Sequence, residues 1–481
     1  MKLDQLLHGF FDVDKIAYTN INVTGICTDT REVKEGHLFI LQKGKHFDSH
    51  DTYKDLEHKV SAFISEREID TPLPCFVVND ANDVIGPIAA KFYDNPTESM
   101  VNIAITGTNG KTSVASIISH ILQKDQKSVG LIGTNGIFIN DKVLFKNSKT
   151  PTTPPPLDIQ KISNKLKLHH AAYTTMEVTS HGLHFDRTKG IDFKYRVFTN
   201  LTVDHLDFHQ TMDEYFYAKS KLFTEADKDE YCILNKNTSY FHAMKEKCNG
   251  QLISYGTLED ANFRASNIEL NEKNTLFDVT YQNETVRMRS PLIGAFNISN
   301  LLAAIAVTRL EGIPLKSIQS YIESFHGIDG RMERIVTDDR VVVVDFAHTP
   351  DALENALQTL SDIKRGKLIT VFGCGGDRDD SKRPIMGKIA EIYSDSVMIT
   401  SDNPRTEDAD KIMNDIAKGM TREVLRISDR REAIHLAIKQ AHPGDIILIA
   451  GKGHEKTQII GTEEFIFDDI EVAKEAIKRI E

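Results

Sequence analysis

Several things are scarce in this chain, and each shortage closes off a class of protein. Only five of its 481 residues are cysteine (Cys27, Cys75, Cys232, Cys248, Cys374), and they are widely spaced, odd in number and never form a CxxC pair. A disulfide framework or cysteine-bound zinc is therefore not expected, and a reducing, cytoplasmic setting is. No apolar run approaches the length of a membrane span, and the opening "MKLDQLLHGFFDVDKIAYTN" is too acidic, with too short an apolar stretch, for an export signal. Neither membrane insertion nor export is expected. Positive charge is in deficit as well, with 58 Lys and Arg against 70 Asp and Glu, a net charge of −12. That balance argues against a general nucleic-acid or acidic-membrane surface, so any anionic ligand must be met by a local basic pocket. Internal repeats and low-complexity tracts are missing too.

What the chain does have is apolar runs that end in glycine or polar residues. Its length exceeds what one hydrophobic core usually holds, so two to four domains are expected. Short strand-like runs such as "HLFIL" (37–41) and "SAFIS" (61–65) fill the first hundred residues, up to the linker-like "DNPTESM". From "VNIAITGTNGKTS" onward, strand, glycine turn and helix alternate, with further buried runs at "VGLIGT", "AAYTTMEVTS" and "YCILN". After "GIDGRMERI" four runs ("RVVVVDFAH", "KLITVFGCGG", "DSVMITSDNPR", "GDIILIAGKGHE") repeat a doubly wound rhythm. The fold class expected is α/β with mainly parallel sheets, and the four endings should meet at one crevice beyond the strands' carboxyl ends.

The stretch "TGTNGKTS" follows a β-branched strand and opens a helix, the context of a glycine-rich phosphate loop. Gly107 and Gly110 permit a tight turn, and the Thr108 and Asn109 amides between them can point inward. Lys111 is expected at the terminal phosphates and the Thr112 hydroxyl at Mg2+, with Ser113 beside them. The loop is shortened, since two residues separate the glycines where the common P-loop has four. Nucleoside triphosphate binding is the reading that the residues alone carry furthest.

Two further runs end in metal-ligand types. "TTMEVTSHGLHFDR" places Glu177 and His181 near one strand end, and "FTNLTVDHLDFH" places Asp204, His205, Asp207 and His209 near another. A hard cation prefers oxygen, and Mg2+ needs only one or two protein groups, so Glu177 and His205 are the leading candidates. The helix-like "MDEYFYAKSKLF" carries Lys219 and Lys221, which composition alone leaves as two solvated lysines.

With these motifs, "GAFNISN", "GRMERI", "DFAHTPDAL", "GCGGDRDDSKRPIM" and "GKGHE" in this order, the sequence resembles the Mur ligases of peptidoglycan synthesis, from "TDTREVKEGHLFI" onward. The likeness is strongest to the members that add the third residue of the peptide stem. It implies three domains: residues 1–98, a small α/β domain holding the UDP moiety; 99–331, a central P-loop ATPase domain; and 332–481, a Rossmann-like domain bringing the amino acid. By the same resemblance Thr30, Thr152, Thr153, Thr179 and Arg187 hold UDP-N-acetylmuramoyl-L-Ala-D-Glu. Asn297, Asn300, Arg331, Asp345 and His348 surround ATP. Glu177 and His205 ligate Mg2+, and Lys219 becomes an N-carboxylated residue. Three positions depart from the family pattern: Phe346 where Tyr is usual, Phe185 where Gln is common, and Pro155 where Glu often follows.

The resemblance also addresses the incoming amino acid, because "DNPR" marks enzymes adding meso-diaminopimelate. Diaminopimelate carries a second carboxylate that lysine lacks, and a planar guanidinium at Arg405 can grip it bidentately. Asp402, Asn403, Pro404 and Arg383 are implied to accompany Arg405, with Gly451 and Glu455 receiving the distal zwitterion. The expected scheme is ATP-dependent formation of an acyl phosphate, then attack by the amine, with domain closure excluding water. A monomer is expected. Alternatives are the same ligase adding L-lysine or another diamino acid, a folylpolyglutamate synthetase, or a P-loop kinase or nucleotide-binding regulator that makes no amide bond.

Overall fold

Most apolar runs noted above become strands, and the turn residues that bound them become their ends. The structure, a computed structural model, describes residues 1–11, 20–44, 47–145, 151–271, 274–337 and 340–479. Two compact units are present, Met1–Ile105 with Gln126–Arg196, and Thr106–Asp125 with Val197–Glu481.

In the first unit four parallel strands lie side by side in chain order: Gly25–Cys27, His37–Ile40, Val60–Ser65 and Cys75–Val77. Leu38, Phe39 and Ile40 are all inaccessible to solvent, as strands covered on both faces must be. One face packs on helices Leu3–Leu7 and Asn82–Phe92, the other on Leu56 and its neighbours. A second group pairs Val101–Thr106, Tyr173–Glu177 and Val129–Gly133 in parallel, with Gly136–Ile139 and Lys142–Phe145 added antiparallel.

The second unit begins with the phosphate loop and helix Lys111–Lys124, then takes up the strands Tyr231–Asn235, Gln251–Gly256 and Phe263–Leu270 in parallel. Two antiparallel strands follow, Thr275–Tyr281 and Glu284–Ser290, joined by a tight turn in which Gln282 has φ +54. The expectation of mainly parallel sheets does not anticipate this meander. Its outer strands are largely polar and exposed, so they carry little of the apolar pattern that marks a strand.

The same unit holds a six-stranded sheet in the order Glu333–Val336, Val341–Asp345, Ile446–Ala450, Leu368–Phe372, Ser396–Thr400, Leu425–Ile427, antiparallel only at its first pairing. Helices Pro350–Ile363, Lys382–Tyr393 and Ala409–Ala417 bury one face; Arg430–Gln440 and Asp469–Lys478 bury the other. The last of the parallel strands in the chain sits between the first and second, so Asp345, Ala450, Phe372 and Thr400 end at one edge beside a change in strand order, where such folds bind ligands. Among the described residues no helix is long and apolar enough to cross a membrane.

Candidate active site

The phosphate loop is shaped by what glycine permits. Gly107 lies at φ +148 and Gly110 at φ +88, and a Cβ at either would overlap Thr199 Oγ1 or Asn300 Oδ1. Between them, the Thr108 hydroxyl donates to Thr202 O (3.2 Å) and accepts from the Thr202 N–H (3.0 Å). The Asn109 N–H donates to Asn200 Oδ1 (2.9 Å), and its side-chain amide donates to Asp351 Oδ2 (2.8 Å). Lys111 Nζ curls onto Gly107 O and Thr108 O, each at 2.8 Å, and Lys219 Nζ reaches the same Gly107 O at 2.9 Å.

Beside this loop is a cavity of about 430 Å3, a size suited to a small-molecule ligand. Of the predicted residues it collects Asn109, Gly110, Ser113, Asn297, Asn300, Arg331 and Asp345. Thr112 is buried just inside the helix, its hydroxyl 3.4 Å from Arg331 Nη2. Asn300 donates to Asn297 Oδ1 (3.1 Å), which fixes the two amides relative to each other. Asp345 accepts the Met332 N–H (2.7 Å); burial pushes its carboxyl up, against the pull of Arg331 and of backbone N–H groups. His348 is half-buried with Nδ1 2.8 Å from Phe346 O, and desolvation together with the Lys382 charge lowers it to about 4, a neutral imidazole at pH 7. The Phe346 ring, where the family usually has Tyr, carries the Arg331 guanidinium 4.5 Å from its centroid.

Sequence reasoning misses Thr199, Asn200, Asp351 and Asn355, which line the same cavity. Asn200 had a local signal, its place just beyond the strand Tyr195–Phe198. Asp351 had one as well, in the first turn of a helix capped by Thr349, but its pairing with Asn109 across 242 residues had none.

The helix Met212–Thr224 separates the two lysines that composition leaves alike. Lys219 is 1% exposed and Lys221 is half-buried. Burial, then the nearby Lys111 charge, pushes the Lys219 amine well below its ordinary range, with Asp204 pulling the other way. Among the described residues no carboxylate stands within ion-pair distance of Lys219, and its Nζ is 4.7 Å from the Tyr215 ring centroid. Asp204 is buried, and burial would raise its carboxyl, but His205, His348 and Lys382 outweigh that and lower it. His205 takes the left-handed conformation (φ +55) at the start of Leu206–His209, its Nε2 3.4 Å from Asp204 Oδ2.

In the first unit Glu177 ends its strand with a carboxylate already oriented, Oε1 accepting the Thr134 N–H (2.9 Å) and Oε2 the Thr134 hydroxyl (3.0 Å). Gly133 has no room for a Cβ because Glu177 Oε1 occupies the space. Thr153 is inaccessible, its hydroxyl meeting Glu177 O (3.0 Å), Thr179 Oγ1 (3.0 Å) and the Thr179 N–H (2.9 Å). Its carbonyl accepts from Arg187 Nη1 at 2.7 Å. In this conformation Thr153 positions Thr179 and Arg187 and offers no hydroxyl to a ligand. Thr152 Oγ1 lies 3.2 Å from Thr134 Oγ1, and Thr30 is half-buried. Arg187 lines a groove of about 230 Å3 with Thr28, Gln42 and Asn82, and two of the three departures, Phe185 and Pro155, line it too.

At the carboxyl edge of the six-stranded sheet the predicted loops do converge. Asn403 Nδ2 donates to Glu455 Oε2 (2.9 Å), and a Cβ on Gly451 (φ +119) would crowd Asp402 Oδ2. Pro404 is buried between them and Arg405. Arg405 is half-buried at φ +52, its Nη1 donating to Gly376 O (2.7 Å), with no carboxylate within ion-pair distance among the described residues. Arg383 is different. It is fully buried, with Nη1 and Nη2 on Glu407 (3.0 and 2.8 Å) and further bonds to Asp415 and Gly375 O, so here it braces the loop from behind. Lys452, which sequence reasoning passes over, is inaccessible, and its Nζ bonds Asn403 Oδ1 (2.9 Å) and Glu455 Oε2 (2.7 Å).

Residues 105–308 match the Mur ligase middle domain and residues 330–453 the Mur ligase, glutamate ligase domain. The chain belongs to the Mur ligase family. It is 39% identical over 487 residues to the UDP-N-acetylmuramoyl-L-alanyl-D-glutamate--2,6-diaminopimelate ligase of Bacillus licheniformis, covering 99% of both chains. It is 38% identical over 488 residues to the enzyme of that name from Clostridioides difficile, covering 100% of both. A solved structure of a ligase of the same name aligns with a TM-score of 0.72 at 31% identity, covering 100% of this chain and 99% of that one. The MurF ligase of Thermotoga maritima in complex with ADP shares the fold, with a TM-score of 0.67 at 17% identity over 95% of this chain and 97% of that one.

Proposed function

We propose that this Mur ligase is the ATP-dependent enzyme that adds meso-2,6-diaminopimelate to UDP-N-acetylmuramoyl-L-alanyl-D-glutamate in cytoplasmic peptidoglycan precursor synthesis. The observation that carries the reading is Arg405, a half-buried guanidinium with no carboxylate partner among the described residues, at the sheet edge where Asn403, Gly451 and Glu455 meet. A ligand with a distal carboxylate supplies that partner, whereas lysine would leave the cation unpaired. The full-length identity to ligases whose names carry diaminopimelate supports the same choice.

The division into 1–98, 99–331 and 332–481 is supported by the family matches at 105–308 and 330–453. In this reading the cavity beside the phosphate loop takes ATP, and the groove lined by Arg187 lies on the UDP-substrate side. Each unit carries donors of a type that suits Mg2+: in the first the oriented, buried carboxylate of Glu177, in the second the Thr112 hydroxyl and His205 beside Asp204. Mg2+ supplies neutralisation of phosphate charge when bound.

The chain's own residues do the rest. The Thr108 and Asn109 amides are held by Asn200, so the N-terminus of helix Lys111–Lys124 and the Lys111 side chain bind the phosphates and stabilise the charge that builds as the substrate's D-Glu γ-carboxylate attacks the γ-phosphate to give an acyl phosphate. The neutral amine is the form of Lys219 that can add to CO2, its nitrogen forming the N–C bond and releasing one N–H proton to solvent, so that a side chain that is ordinarily a cation would carry a carbamate anion able to face a metal. Asn403, Glu455 and Arg405 orient the diamino acid so that its amine displaces phosphate, and we take the enzyme to act as a monomer. An amino-acid panel tests the proposal. ADP release must require both UDP-N-acetylmuramoyl-L-Ala-D-Glu and diaminopimelate; nucleotide turnover indifferent to the amino acid, or faster with lysine or ornithine, overturns it.

A further inference from the structure

We infer that Lys452 is a specificity-determining residue, which pre-pairs Glu455 and so weakens its pull on a bare ammonium at the far end of the incoming amino acid. This rests on the amide-ligase reading above and concerns how its amino-acid site tells a zwitterion from a cation.

Lys452, Glu455 and Asn403 form a closed triangle. Lys452 Nζ bonds Glu455 Oε2 (2.7 Å) and Asn403 Oδ1 (2.9 Å), and Asn403 Nδ2 bonds the same Glu455 Oε2 (2.9 Å). Asn403 Oδ1 also takes the Ile459 N–H at 3.0 Å, so the amide cannot flip without losing bonds on both sides. The Lys452 side chain is fully buried and that of Glu455 is 33% exposed, so the ammonium sits behind the carboxylate and only the outer oxygen, Oε1, is left for a ligand. An unpaired Glu455 would attract any amine. A Glu455 already matched by an internal cation offers hydrogen bonding with little net field of its own, while Arg405 stands among Asp402, Asp377 and Arg378 with no carboxylate in ion-pair distance among the described residues. A ligand bearing ammonium and carboxylate together then gives Arg405 a partner, while a bare ammonium gains little from Glu455 and leaves Arg405 without one.

The test is the ratio of kcat/KM for diaminopimelate over L-lysine, followed by ADP release in the full-length enzyme with UDP-N-acetylmuramoyl-L-Ala-D-Glu. Lys452→Met is expected to lower the ratio about tenfold, chiefly through a lower KM for lysine, with the KM for ATP unchanged. The double variant Lys452→Met/Glu455→Gln, which removes both charges and leaves neither buried alone, is expected to bring the ratio back to within about threefold of wild type. A purely structural lysine would change kcat/KM for both amino acids alike and leave the ratio where it was. An unchanged ratio in a folded Lys452→Met enzyme overturns the inference, as does a double variant whose ratio stays low. Should Lys452→Met fail to fold, the double variant decides on the same criterion. A wild type that does not prefer diaminopimelate brings down the function reading as well, and is told apart because it appears before any substitution is made.

Discussion

Two cationic regions of the second unit solve opposite problems. At the phosphate loop, Lys111 and Lys219 both lean on one backbone carbonyl, that of Gly107. At the edge of the six-stranded sheet, Lys452 and Arg383 are matched by internal carboxylates, Glu455 for one and Glu407 with Asp415 for the other. Lys219, with no carboxylate within ion-pair distance among the described residues, rests on a neutral acceptor that an incoming anion can replace. A diamino acid is a zwitterion, and the edge of the sheet holds Lys452 and Arg383 against internal carboxylates in advance, leaving Arg405 on a backbone carbonyl. The partner type in each region suits the charge of what it is proposed to hold.

Substitutions that cut into one side of this contrast should separate the two regions. Lys111→Met should have the largest effect, lowering ADP release by about a thousandfold or more, because it removes the cation aimed at developing phosphate charge. Lys219→Met should follow at about a hundredfold, and the wild type should show bicarbonate-dependent activity and a native mass increment of about 44 Da that the variant lacks. Equal activity with and without CO2 would remove the carbamate from the scheme. Arg405→Ala should lower diaminopimelate addition by about a hundredfold while nucleotide binding, read by titration calorimetry, survives. A wild-type rate in that variant would end the argument from Arg405.

Two smaller effects concern stability. Thr153→Val in the first unit removes a hydroxyl that serves Glu177 O and Thr179, and should cost about 1–2 kcal/mol in chemical denaturation. The smallest is a pH effect at His454, which burial, then Arg331 and other nearby cations, lower to about 3. Its folded value lies below the ordinary one near 6.5, so the unfolded chain takes up the proton first as pH falls. The stability it contributes is whole above about pH 6.5 and is lost progressively on acidification toward about pH 3. His454→Gln should therefore make the stability difference between about pH 7.5 and about pH 5 smaller, by up to one proton's worth of slope.

Features fixed by neighbours in the chain were legible beforehand. The phosphate loop could be placed because its strand, glycines and helix are contiguous, and the C-terminal crevice because strand ends in such sheets obey a topological rule. The burial of Lys219 was half legible, since it stands four residues from both Tyr215 and Phe223, on the apolar face of its helix. Asp351 was not legible, because its partner Asn109 lies 242 residues away, and Lys452 was legible only in part, because Glu455 stands three residues on while Asn403 lies 49 residues back. Arg383 and Thr153 show the reverse. Their types and motifs suit ligand contact, and only packing reveals that they are consumed inside the protein.

Arg405 occupies a backbone conformation that side chains rarely adopt, tied there by its N–H to Ile459 O and its carbonyl to the Gly461 N–H. Glycine would hold the same turn with about 1 kcal/mol less strain. The residue proposed to give the enzyme its choice of building block is thus one that selection for robustness alone would discard. In a library propagated only for thermal tolerance, glycine or asparagine should overtake arginine at this position, and the survivors should be sturdier ligases with poorer discrimination.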